Sequence, residues 1–324
     1  MVFASALAAL TGAVAADNQS QAPTASTSAT NKIEALPEVT VTATRLQLEQ
    51  RVSKFVTQIA APENGGEGLA RWDAPAACPL VSGLPRQDGE FILERVSQIG
   101  REAGVPLADE HCRPNLYILV TPEPEGLLRG MEKRNRGFTF GYDSLSYPPM
   151  ETPAGVVDAF IKTPRAAKVW YNPVEKDHWG QPLVYCPASE VFPGCTSGTH
   201  TAACDPNRYY RCGRAVAGGS HLVFNSIWTF SSVFVIVDQR RLQGVTRGQL
   251  ADYVAMVGFA KLKPDARLRD APTILKLFDD APVAAPAGMT DWDQTFLKSL
   301  YATEQTSKQQ RGEIARAMVR DLVH

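Results

Sequence analysis

The chain has 324 residues, of which 44% are hydrophobic and 21% charged, and its formal net charge is -1. This length suits one large domain or two small ones, and the composition excludes an intrinsically disordered chain. The balanced charge gives no basis for nucleic-acid binding, which needs clustered Lys and Arg. The one basic run, Met131 to Gly137, includes a glutamate and reads as a solvated helix end.

Residues 1–16 are almost wholly apolar and small, with Ala13-Val14-Ala15 or Val14-Ala15-Ala16 as a small-residue cleavage site. They read as a signal peptide and are too short for a membrane-spanning helix of about 20 residues. No cysteine stands near the cleavage site, so no lipid anchor is indicated, and no other segment reaches about 18 uninterrupted apolar residues. Residues 17–36 are rich in Ser, Thr, Ala and Gln and read as a disordered linker. A single globular domain is expected over 37–324. Its first segment, PEVTVTATR, alternates Val39, Val41 and Ala43 with Thr40, Thr42 and Thr44, the period of an edge strand. The same segment resembles the energy-coupling box of TonB-dependent outer-membrane receptors. The chain is too short for their 22-stranded barrel and lacks its repeated amphipathic strands.

Helical periodicity continues at Leu48, Val52, Phe55, Val56 and Ile59, and again over 91–103 with Ile92, Val96 and Ile99. NLYILVT at 115–121 is expected as a buried strand, with short helices over 124–133 and 152–161 and a strand at AAKVWY. The aromatic stretch GFTFGYDSLSYPP, from Gly137, would line a groove or cap a core. Two apolar strands are expected in SHLVFNSIWTF and SSVFVIVD. The second has no polar residue over 233–237, as in a strand buried on both faces. The C-terminal part, 291–323, is expected to be helical.

Six cysteines stand beyond the signal segment: Cys78, Cys112, Cys186, Cys195, Cys204 and Cys212. An even number in an exported chain favours disulfides. The last four fall in one loop rich in Gly, Pro, Ser, Thr and Asn. Short loops would close as Cys186–Cys195 and Cys204–Cys212, leaving Cys78 with Cys112, although four clustered cysteines allow other connectivities. His178 and His200 could join the loop cysteines in a zinc site, but export favours disulfides. None of the histidines, His111, His178, His200, His221 and His324, is paired with another at metal-ligand spacing. No Walker loop, dinucleotide fingerprint or Gly-x-Ser-x-Gly elbow is present.

The most informative stretch is TRGQLADYVAMVGFAKLKPD, from Thr246. Thr246 and Gln249 form a capping box, with Val245 and Leu250 at the staple positions. Leu250, Val254 and Val257 make one apolar stripe, Ala251 and Ala255 a stripe of small residues, and Gly258 is the expected helix end. Ala251-Asp252-x-x-Ala255-x-x-Gly258-x-x-Lys261 matches the spacing of His-Glu-x-x-His-x-x-Gly-x-x-His, in which histidines at i and i+4 hold zinc and the acid polarises its water. Methyl groups cannot ligate zinc and an ammonium repels it, so these four positions are a degenerate site. The small stripe should pack closely against a neighbour or floor a shallow groove. Asp252→Asn is expected to leave stability nearly intact.

The segments beyond this helix keep the order of a metzincin. DAPTILKLFDD at 270–280 stands where the tight Ser-Ile-Met turn lies, with Leu275 at the methionine, and MTDWDQTFLKSLYA at 289–302 resembles the closing helix. Residues 221–324 also resemble an uncharacterised family of exported proteobacterial proteins, some of them lipoproteins, distantly similar to zincin metallopeptidases with the zinc ligands lost. The resemblance implies a fold relation. Together these readings give an α+β fold, a mixed β-sheet with flanking helices, zincin-like in its C-terminal half. The expected role is a non-catalytic module of the bacterial envelope, periplasmic or secreted, without a cofactor. It would bind an envelope protein or peptide, not nucleic acid, and have no transmembrane helix once mature. The alternatives are a hydrolase pairing Asp252 with His200 or His221, and a TonB-associated protein with residues 37–45 free and extended.

Overall fold

The structure is a computed structural model. It describes residues 37–62, 68–143, 150–177, 180, 184–187, 209–212, 226–264, 266, 268, 270–279, 285–307 and 309–323. The chain divides into two compact units, 1–42 and 43–324. The expected signal peptide and linker lie outside the described residues. The second unit carries the sheet.

Helix α1, Pro37–Ile59, replaces the edge strand expected over 37–45. Proline suits a first helical position because its missing N–H is unpaired there anyway. Once a helix is nucleated each added residue gains a hydrogen bond. The helix buries Val52, Phe55, Val56 and Ile59 in the core, and continuing it overrides the modest strand preference of alternating Val and Thr.

The central sheet has four strands, β1 (Pro79–Ser82), β2 (Leu116–Thr121), β5 (Ala167–Asp177) and β8 (Ser226–Asp238), in the order β1-β2-β8-β5. The first three are mutually parallel and β5 runs antiparallel to β8, so the sheet is mixed. Two small antiparallel pairs complete the described strands: β3 (Tyr142–Asp143) with β4 (Met150–Glu151), and β6 (Val184–Pro187) with β7 (Tyr209–Cys212). The helices after α1 are α2 (Arg86–Ala103), α3 (Pro124–Phe140), α4 (Ala154–Lys162), α5 (Arg247–Phe259), α6 (Asp291–Ala302) and α7 (Gln310–Val323). Helices flanking a mixed sheet make this the expected α+β fold. Among the described residues no helix is long and apolar enough to cross a membrane.

Each sheet face has its own core. On one face Leu116, Ile118, Val120, Val233, Val235 and Val237 join Phe55, Ile92, Val96, Val254, Phe296, Ile314 and Met318 from α1, α2, α5, α6 and α7. On the other, Phe234 and Ile236 pack with Leu128 and Phe140 of α3 and Val157 and Ile161 of α4. Phe140 thus caps a core, one of the two roles expected for the aromatic stretch, whereas Phe138 is 45% exposed.

Two strands are expected over 220–230 and 231–238; within the described residues, 226–238 form one strand, β8. A Ser231-Ser232 pair is no turn signal strong enough to break a ladder that β5 accompanies along its length. The register shifts opposite Asn172 and Pro173, where proline offers no N–H. The shift moves the inward-facing positions from Phe230 to Val233, Val235 and Val237, as an extra residue in a strand must. Asn172 fixes this point: its amide donates to Thr139 O (3.0 Å) and Ser232 Oγ (2.9 Å), and its oxygen accepts from Trp170 Nε1 (3.0 Å). Helix α3 outruns its expected end near Lys133 because it restarts after a non-helical Asn135, whose side chain accepts from Phe138 N. In the basic run, Arg136 pairs with Glu132, which Arg129 also reaches.

Helix α5 is buried along almost its whole length, with Val254 fully enclosed. A Val254→Asp variant places an unpaired charge there, at a cost of several kcal/mol, and should lose its cooperative thermal transition by near-UV circular dichroism.

Candidate functional site

The positions expected from the sequence to form a degenerate zinc site lie on α5 and just beyond it, and the surroundings of that helix decide what they can do. Its start is built as the sequence implies. Thr246 Oγ1 accepts from Gln249 N (3.1 Å), and Gln249 Oε1 accepts from Thr246 N (3.1 Å). The Gln249 amide also donates to Pro286 O (2.8 Å), tying the cap to the chain that leads into α6.

Ala251 and Ala255 are fully buried in the larger core. The small stripe therefore packs against neighbours and floors no groove. Asp252 is buried too. Its carboxylate accepts from Arg95 Nε of α2 (2.7 Å), Arg95 Nη2 (3.4 Å) and Met289 N (2.6 Å). The hydrogen bond to Asp252, ahead of the other influences, holds the Arg95 guanidinium more firmly protonated than usual. The turn before α6 comes so close that a Cβ on Gly288 would stand 2.7 Å from Asp252 Oδ2. Asp252 thus joins α2, α5 and the approach to α6, and these contacts argue against the expectation that Asp252→Asn is nearly neutral. Lys261 lies past the helix end, half-buried, and its carbonyl accepts from Ala61 N (3.2 Å).

The helix does not end at Gly258. It runs one residue further, to Phe259. At Gly258 the helix packs closely on β2, where a Cβ would lie 3.1 Å from Leu116 Cδ1.

The last turn is held by side chains that no sequence motif singles out. The final carbonyls of a helix have no partner within it, and these are buried. Tyr171 Oη donates to Val257 O (2.9 Å), Trp72 Nε1 to Gly258 O (2.8 Å), and Tyr301 Oη to Phe259 O (2.7 Å). Both phenols also accept, from Leu262 N (3.4 Å) and Trp72 N (3.2 Å) respectively. Burial raises the pKa of each phenol, keeping it in the protonated form that can donate. Phe230 of β8 meets Trp72 edge-on and stacks on Tyr171, orienting two of the three donors. Arg71 lies by the Tyr301 ring and donates to Leu300 O and Thr303 O at the end of α6. The only sequence signal for this cluster is the residue type, since buried Tyr and Trp need a partner for their polar tips.

The segment expected to resemble a methionine turn contains a short 3-10 helix, Ile274–Phe278, with Leu275 half-buried against the core. Asp293 of α6 secures it, accepting from Thr273 Oγ1, Ile274 N (2.8 Å), Thr290 N (3.0 Å) and Thr290 Oγ1 (2.8 Å). Burial raises the Asp293 pKa despite these four donors.

Cys78 and Cys112 are joined by a disulfide that clips the start of β1 to the chain leading into β2. Asn115 reinforces it: its side chain accepts from Cys78 N (2.7 Å) and donates to Ala76 O (2.9 Å). Cys186 and Cys212 stand on β6 and β7. Cys195 and Cys204 lie outside the described residues, so the expected loop disulfides are not placed. His178, His200, His221 and His324 also lie outside them. Among the described residues, no three of His, Cys, Asp and Glu gather as a metal site would require. Comparison with protein-family models, curated proteins and solved structures finds no match.

Asp252→Ala should destabilise by about 2–3 kcal/mol, as it strands the Arg95 charge and Met289 N, and Asp252→Asn by roughly half of that; urea unfolding decides this. Tyr301→Phe should cost about 1–2 kcal/mol, since Phe259 O and Trp72 N both lose a partner, and the same assay reads it.

Proposed function

We propose that this chain is an exported bacterial envelope protein, periplasmic or secreted, that acts as a non-catalytic binding or structural module, its C-terminal part a zincin-like frame without its metal. The observation that carries the compartment is the Cys78–Cys112 disulfide, because disulfides persist in oxidising compartments. The apolar, cleavable N-terminal run points the same way. The non-catalytic reading rests on the helix at Thr246. Two of its former ligand places are buried alanines, its acid is occupied by Arg95 and a backbone amide, and its third ligand place is a lysine. These are the features of a helix retained for packing. The partner is an envelope protein or peptide.

If the protein is exported, mass spectrometry of native material should find a mature N-terminus near Ala16 or Asp17. Thiol titration of the denatured, unreduced chain should find no free cysteine. An intact N-terminus in the cytosol would contradict the reading, and several reactive thiols would reopen a Cys/His metal loop. Elemental analysis should find no stoichiometric zinc, and general peptide substrates should remain uncleaved. One zinc per chain, lost to chelator together with an activity, would overturn the non-catalytic reading.

A further inference from the structure

We draw no further inference here: the strongest candidate, the apolar patch of Leu80, Tyr117 and Phe138 on the sheet face that α3 and α4 cover, is partly exposed, but nothing in the structure shows what covers it.

Discussion

The last turn of α5 is the constraint around which the fold is arranged. A helix that ends inside a core leaves carbonyls that water cannot reach, and each unsatisfied one costs about 1–3 kcal/mol. Trp72, Tyr171 and Tyr301 supply the donors, from a loop before β1, from β5 and from α6. Three regions far apart in sequence must therefore converge on one helical turn. Because both phenols also accept a backbone N–H, the cluster fixes the direction of the chain entering and leaving it. Phe230, between Trp72 and Tyr171, ties the cluster to β8.

Two carboxylates extend this logic to the rest of α5's surroundings. Asp252 joins the middle of the helix to α2 and to the turn before α6. Asp293 joins the start of α6 to the 3-10 turn. Both oxygens of each carboxylate accept hydrogen bonds. A buried acid whose oxygens are taken by backbone and side-chain donors holds the backbone in place, since removing it leaves several donors unsatisfied at once.

Much of the fold is legible in the sequence where one physical signal dominates. The capping box at Thr246, the helical stripe Val52, Phe55, Val56 and Ile59, and the apolar run 233–237 each mark an element without help from elsewhere. Where the structure departs from the sequence pattern, the causes are definite. Residues 37–45 carry strand periodicity yet continue a helix whose buried face lies further along. Gly258 reads as a helix end, but the helix packs closely on Leu116 there, which no local pattern announces. Asp252 reads as a motif position, while its partner Arg95 stands on another helix. The donors Trp72, Tyr171 and Tyr301 escape notice because their acceptors are backbone carbonyls distant in sequence. Hydrogen bonds of that kind leave no trace in spacing.

The role of α5 as the buried strut of the fold is tested most directly by native-state hydrogen exchange of its amides. If α5 is that strut, the amides of Val254 to Phe259 exchange only through global unfolding, with protection equal to the full unfolding free energy. Tyr301→Phe should lower that protection and the global stability together. Exchange of these amides at a distinctly lower free energy than the β8 amides would show α5 to be a separable element, and would contradict its role as the strut.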